Sequence, residues 1–249
     1  TEEVLQLYDN VRENLFNTVH STHIPFSKLK KEIIGKELTN FRKVFTTCYD
    51  LIPYWSVFNT ISSNKQVDFF WRNNTFDSRN VNIFYPAQVT AFYYLHGALH
   101  LQTNLASGIH KLLGASDNLP EIDSYKFTEL NTVLPLFITE GTSKYKLSKI
   151  ESNSYLNFCY KELSKIKNGL VVIGQGLDPT YDQHLVDAIV ENEKLTYVAI
   201  SIYSGLLEYE KKKLIKFFEA RLLRRTHQLE LFFFESESHP LCSQDVKGN

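Results

Sequence analysis

The sequence predicts one α/β domain over residues 1–249, a three-layer, doubly wound fold with a mainly parallel sheet. Three observations lead to this prediction. Short apolar runs alternate along the chain with segments whose apolar residues recur at helical spacing. The runs have few polar positions, as strands do when helices cover both faces of a parallel sheet. Polar and glycine residues directly follow several runs, where ligands bind in such folds.

The elements are expected in a regular order, with two exceptions. Strands are predicted at about 44–49, 91–95, 134–139, 170–173, 196–202 and 229–234. Helices are predicted at about 2–20, 25–40, 51–61, 143–150, 153–166, 181–192 and 206–225. The exceptions are irregular insertions, expected at about 62–90 and 101–132.

Composition excludes several classes of protein. Hydrophobic residues make up 43% of the chain, enough for a sizeable core, so disorder is excluded as its main state. The net charge of −1 argues against generic nucleic-acid binding. Three widely spaced cysteines form neither a disulfide framework nor a zinc site, which indicates a reduced, cytoplasmic setting. No apolar run approaches the roughly 20 residues that a membrane-spanning helix needs.

His96 and Gly97 are the sharpest local feature, because they directly follow a predicted strand. A histidine there is a candidate general base, and the glycine would leave room for a ligand to approach. A structural histidine that caps backbone groups is an equally good interpretation. His100 suggests a metal pair with His96, but this would require a helix and a third ligand, so no metal is expected.

Two further strand ends carry candidate binding residues. Gly174, Gln175 and Gly176 fit the start of a phosphate-binding loop, although a tight turn between strand and helix is the more common explanation of two glycines. Glu140 is a candidate acceptor for ribose hydroxyls and is followed by Gly141. Thr142 or Ser143 is interpreted as an ordinary helix N-cap.

Four blocks of the sequence resemble a known family. They are 45–51 (FTTCYDL), 94–101 (YLHGALHL), 137–143 (FITEGTS) and 173–177 (IGQGL). In this order they are similar to the blocks of DUF4917, a bacterial family of SIR2-like proteins, over about residues 43–189. The resemblance implies a Rossmann-like, NAD-binding fold with His96 and Asp50 as catalytic residues. It further implies that Thr47, Tyr49 and Asp50 border the nicotinamide side, and that Gly174 and its neighbours border the adenosine side. Cys48 and Gly97 are expected among the residues that bind the cofactor.

The sequence departs from this family in three places. Cys48 stands where the family has asparagine, and Gly176 stands where it has serine. The family begins with a strand and a glycine-rich loop that holds the diphosphate, whereas the first glycine here is Gly35. The chain also contains no methionine, so we expect that it is not a complete reading frame. Either the missing segment precedes Thr1, or NAD is not bound in the usual way.

The resemblance implies NAD as substrate or ligand, without the zinc module of lysine deacylases. The leading hypothesis is a SIR2-like NAD glycohydrolase, in a family whose relatives deplete NAD in bacterial defence. The alternative is a catalytically inactive sensor of NAD or ADP-ribose, or a protein-interaction module on the same fold. A third hypothesis is an assembly domain, with the aromatic-rich segment 66–94 as an interface for a homo-oligomer or another protein.

Overall fold

The structure is a computed structural model, and it describes residues 14, 17–19, 21–58, 66–77, 89–104, 107–112, 133–138, 141–223, 228–243 and 246. These residues form two compact units, one N-terminal to Gly141 and one from Gly141 onward. The helix predicted at 2–20 falls almost entirely outside the described residues, and all of 113–132 lies outside them. Within the described ranges, no helix is long and apolar enough to cross a membrane.

Among its described residues, the N-terminal unit has two small sheets and two α-helices whose bounds are defined. Its helices are α1 (Lys31–Leu38) and α2 (Ile52–Phe58). Its strands are β1 (Lys43–Thr46), β2 (Gln66–Val67), β3 (Thr90–Tyr94), β4 (Gly97–Asn104), β5 (Gly108–Lys111) and β6 (Val133–Phe137). The first sheet is parallel, with β3 between β1 and β2, and the second is antiparallel, with β4 between β5 and β6.

The core of this unit is built around β3, all five residues of which are buried. This burial explains the continuous apolar run in the sequence, because a central strand has no side that faces water. Phe69 and Phe70 are also buried. The assembly hypothesis requires the aromatic side chains of 66–94 to be exposed. Five of the aromatic side chains that the structure describes in this segment are instead core residues, which does not favour this hypothesis: Phe69, Phe70, Phe92, Tyr93 and Tyr94.

The C-terminal unit is a parallel three-stranded sheet with helices between its strands. Its helices are α3 (Ser143–Ser152), α4 (Ser154–Leu163), α5 (Gln183–Val190) and α6 (Glu208–Leu222). Its strands are β7 (Asn168–Val172), β8 (Leu195–Ile202) and β9 (Glu230–Glu235). The strands lie in sequence order, so α5 connects β7 to β8 and α6 connects β8 to β9. This is the βαβαβ arrangement in which the carboxyl ends of all strands meet at one edge.

The coarse fold prediction is confirmed: the protein is a mixed α/β protein with small parallel sheets and helices. The prediction that 101–132 is irregular throughout was wrong, because residues 97–104 and 108–111 form an antiparallel hairpin. Gly108, with φ of +91°, provides the left-handed conformation that the chain needs as it enters β5. The pairing of β4 with β6 is likewise antiparallel, which differs from the mainly parallel pairing predicted.

Candidate functional site

Two connecting segments are hydrogen-bonded to neighbouring residues of each other in the N-terminal unit. One is the loop of residues 47–50 after β1, and the other is the two-residue turn that joins β3 to β4 and contains His96. The Leu95 amide donates to the Thr46 carbonyl at 2.9 Å, and the Leu99 amide donates to the Tyr49 carbonyl at 3.0 Å. These bonds bring together the two segments that carry the described candidates of this unit: Thr47, Cys48, Tyr49, Asp50, His96 and Gly97.

His96 is buried, with 3% of its surface exposed. Its carbonyl accepts a hydrogen bond of 2.8 Å from the amide of Ile138, just beyond β6. The carbonyl of Ile138 in turn accepts a hydrogen bond of 2.5 Å from the hydroxyl of Tyr49. The backbone of His96 is therefore connected to the side chain of Tyr49 through a single residue.

Gly97 has a packing role that the sequence did not indicate. Its φ is +79°, and a Cβ at this position would lie 2.1 Å from the Leu136 carbonyl oxygen and 2.7 Å from the Phe137 Cα. Only glycine fits, because real Cβ atoms do not approach backbone atoms so closely. The space at Gly97 that was expected to admit a ligand is occupied by the backbone of Leu136 and Phe137 in β6.

Asp50 lies at the start of α2, where its Oδ1 accepts a hydrogen bond of 2.9 Å from the Ile52 amide. The next amide, of Leu51, donates to Nε2 of His23 at 3.1 Å. Burial raises the pKa of the Asp50 carboxyl above its ordinary 3.8, although the Ile52 hydrogen bond and the charge of His23 act in the opposite direction. The carboxylate thus combines a helix-capping contact with a partly desolvated charge.

Cys48 is an exposed residue next to this carboxylate. Its amide donates to the Thr46 hydroxyl at 3.1 Å. Although the residue as a whole is exposed, partial desolvation of the thiol and the charge of Asp50 raise its pKa above the ordinary 9.0. The thiol is therefore protonated near neutral pH, which does not fit a reactive cysteine nucleophile.

His100 lies deeper in the unit and is fully buried. Its ring packs between Tyr54 and Tyr94, with centroids 4.7 and 4.8 Å away. Neither ring nitrogen has a hydrogen-bond partner among the residues that the structure describes. Burial, helped by the positive charge of Lys111, lowers the pKa of His100 to about 3, so the ring is neutral at physiological pH.

Lys111 and Asp68 form a buried ion pair that sequence reasoning missed. The Lys111 Nζ lies 2.5 Å from Asp68 Oδ2, and the side chains are 10% and 5% exposed. The rings of Tyr54, Phe58 and Phe70 surround the ammonium group with centroids 5.3–5.9 Å away. The two residues are 43 positions apart in the sequence, so no local pattern indicates the pair.

The C-terminal unit holds the glycine candidates at the carboxyl edge of its sheet. Gly174 follows β7 with φ of +66°, and its amide donates to the Ser201 hydroxyl of β8 at 3.2 Å. A Cβ at Gly174 or Gly176 would meet no atom within 4 Å. The loop formed by Gly174, Gln175 and Gly176 therefore has open space beside its backbone, as a phosphate-binding loop requires.

Gly141 and Thr142 directly precede α3, which begins at Ser143. A Cβ at Gly141 would lie 2.7 Å from a ring carbon of Tyr145. Thr142 is the N-cap, and its hydroxyl accepts a hydrogen bond from the Tyr145 amide, so the cap prediction is confirmed for this residue. Ser143 faces His184 of α5 instead, at 2.9 Å from its Nδ1. Glu140 lies outside the described residues.

Apart from Gly141, and from Glu140 outside the described residues, the candidates thus fall into a group around His96 in the N-terminal unit and a glycine loop in the C-terminal unit. Across the described ranges, no three histidine, cysteine or acidic side chains are grouped as metal ligands.

The fold and these strand-end residues define a mixed α/β protein with parallel sheets and polar residues at their carboxyl edges. The family described as "Domain of unknown function (DUF4917)" matches residues 1–242. The chain therefore belongs to the DUF4917 family. No curated protein matches it.

Proposed function

We propose that the protein is a SIR2-like NAD glycohydrolase, which breaks the bond between nicotinamide and ribose. The proposal includes the finer fold assignment, a three-layer, doubly wound, Rossmann-like domain. The observation that supports it most directly is the contact between the loop after β1 and the turn after β3. The bonds Leu95–Thr46 and Leu99–Tyr49 hold a buried histidine and a desolvated carboxylate at neighbouring strand ends.

The reaction uses His96 and Asp50 in different roles. The C–N bond breaks with its electron pair leaving on the pyridine nitrogen, which releases neutral nicotinamide and an oxocarbenium ion of the ribose. Asp50 stabilises this cation through its negative charge. Water adds to the cationic carbon, and His96 accepts the proton that the water loses. The products are nicotinamide and ADP-ribose, with one proton released to solvent.

The glycine loop of the C-terminal unit provides the second part of the proposal. NAD carries a diphosphate, and phosphates bind where a backbone without side chains allows close approach. No atom lies within 4 Å of the position that a Cβ would take at Gly174 or Gly176. A ligand can therefore approach the backbone there. Within the C-terminal unit, the loop is therefore proposed to bind the phosphates of a nucleotide such as ADP-ribose.

The test is the release of nicotinamide from NAD by the full chain. We expect His96→Ala and Asp50→Asn each to lower the rate by about 100-fold or more. His110→Ala is the control, because His110 lies on β5 in the same unit and bonds Thr75 and Ser107. Equal rates for the wild type and His96→Ala would contradict the proposal.

A second candidate is a sensor that binds NAD or ADP-ribose without turnover. Two observations favour it: β6 fills the space beside Gly97, and Cys48 replaces the amide that the family pattern has. Calorimetry with ADP-ribose distinguishes the candidates when it is combined with the nicotinamide assay. Binding without nicotinamide release supports the sensor, whereas release of nicotinamide rejects it.

A further inference from the structure

We infer that Tyr49 is a positioning residue for His96, acting through Ile138. The inference rests on the proposed function, because it concerns the same site. It gives Tyr49 a role different from the contact with the nicotinamide side that the family resemblance implies. Its basis is a chain of hydrogen bonds between three chain segments of the N-terminal unit.

The chain of bonds begins at the Tyr49 side chain. The hydroxyl donates its hydrogen to the Ile138 carbonyl, and the Ile138 amide donates to the His96 carbonyl at 2.8 Å. The Tyr49 ring also packs against Phe137, with centroids 5.6 Å apart. Tyr49 therefore fixes the end of β6 by a polar and an apolar contact, and the end of β6 fixes the backbone of His96.

The backbone of Tyr49 acts on the other side of the same turn. Its carbonyl accepts the Leu99 amide at 3.0 Å, three residues after His96. The turn is thus held from two directions, and one residue takes part in both. A catalytic base must be held within a few tenths of an ångström of its productive position, and such precision depends on contacts of this kind.

The hydrogen bond that the Tyr49 hydroxyl donates distinguishes a positioning role from a role in ligand binding. Its only hydrogen is donated to Ile138, so the group has no hydrogen left for a ligand. A positioning residue affects the rate of the chemical step, whereas a residue that merely binds substrate affects KM. Tyr49→Phe tests the difference, because it removes the hydroxyl and retains the ring that packs on Phe137.

The first readout is the kinetics of NAD cleavage. We expect Tyr49→Phe to lower kcat about tenfold with KM within about twofold of the wild type. Tyr209→Phe is the matched control, because Tyr209 is 66% exposed on α6 in the C-terminal unit. A rise in KM with kcat unchanged would overturn the inference and restore a direct contact with the substrate.

The second readout does not depend on activity. We expect Tyr49→Phe to shift the imidazole NMR signals of His96 and to speed hydrogen exchange of the Ile138 amide by about tenfold or more. The signals of His110 serve as the internal reference. If the wild type does not cleave NAD, the proposed function fails, but these measurements still decide the role of Tyr49. Unchanged His96 signals and unchanged exchange at Ile138 would overturn the inference.

Discussion

Ser143 and His184 join the N-terminal ends of α3 and α5 by two hydrogen bonds between the same two residues. The His184 amide donates to the Ser143 hydroxyl at 2.7 Å, and the hydroxyl lies 2.9 Å from the Nδ1 of the ring. Burial, helped by the charge of Lys146, lowers the pKa of His184 to about 4. The ring is therefore neutral near pH 7, so we assign the hydroxyl as donor to an unprotonated Nδ1.

Replacing Ser143 by alanine should destabilise the protein. The substitution leaves the His184 amide and Nδ1 without these bonds in a buried place, which costs about 1–3 kcal/mol. The measurement is the free energy of unfolding in urea. Ser152→Ala is the control on the same helix, because Ser152 is exposed and its hydroxyl donates to the Lys149 carbonyl. Its effect should stay within about 0.5 kcal/mol. Equal effects of the two changes would contradict the role of Ser143.

The same pair predicts a dependence of stability on pH. The pKa of His184 is about 4 in the folded state and 6.5 ordinarily, so the unfolded chain binds more protons between these values. The contribution of His184 to stability is complete above about pH 6.5 and is lost as the pH falls towards 4. The full loss corresponds to roughly 3 kcal/mol.

His184→Asn isolates this dependence, because its amide oxygen still accepts from Ser143 but does not titrate. Unfolding free energies at pH 7 and about pH 4.5 should differ less for this variant than for the wild type. Asp182 has a pKa raised by burial, which acts in the opposite direction, but this effect is present in both proteins. Identical slopes for the two proteins would show that His184 does not titrate as described.

Local patterns predicted the elements well and the contacts between distant residues poorly. The runs that form β3 and β8, and the cap at Thr142, were readable because spacing and residue type determine them. The hairpin of β4 and β5 was missed because its polar residues do not alternate clearly with apolar ones. Ser143 and His184 are 41 positions apart, so only the folded chain shows that they meet.

The candidate site residues were likewise predictable where a local pattern determines them, and not where residues distant in sequence meet. The strand-end positions of His96 and Asp50 were predicted from the order of apolar runs. The donation from Tyr49 to Ile138 spans 89 positions, and nothing in the sequence near Tyr49 indicates it. From the sequence alone, Gly97 was expected to leave room for a ligand. In the structure the backbone of β6 occupies that space, which no local sequence pattern indicates.

The buried ion pair of Lys111 and Asp68 should be important for stability. Lys111→Met leaves the Asp68 carboxylate buried without its cation, which costs about 3–5 kcal/mol. Lys165→Met is the matched control, because the Lys165 side chain is 65% exposed in its pair with Glu162. Exposed pairs contribute about 0–1 kcal/mol. Urea unfolding of both variants checks the prediction, and a loss below about 1 kcal/mol for Lys111→Met would contradict it.

His100→Phe should stabilise the protein. Phenylalanine fills a similar volume between Tyr54 and Tyr94 and removes two buried nitrogens that have no partner in the described ranges. The gain should be roughly 1–3 kcal/mol, measured as the free energy of unfolding at pH 7. His100→Asn should instead destabilise, because it leaves a cavity and a buried amide. A loss of stability in His100→Phe would mean that the ring nitrogens bind a water molecule or another group.

Gly97 and Gly176 form a matched pair that separates packing from ligand access. Gly97→Ala places a Cβ 2.1 Å from the Leu136 carbonyl oxygen at a φ of +79°. The positive φ and the overpacking together should cost about 2–5 kcal/mol. Gly176→Ala meets no atom within 4 Å, so its unfolding free energy should change by less than about 0.5 kcal/mol.

Gly176→Ala is expected to weaken the binding of a nucleotide rather than to lower stability. If the C-terminal loop binds the diphosphate, a methyl group at Gly176 obstructs the approach to the backbone, and the affinity for ADP-ribose should fall about tenfold while stability is unchanged. Calorimetry and urea unfolding on the same two variants provide both measurements. Unchanged affinity in Gly176→Ala would place the diphosphate elsewhere, and unchanged stability in Gly97→Ala would contradict the close packing of β6 against the His96 turn.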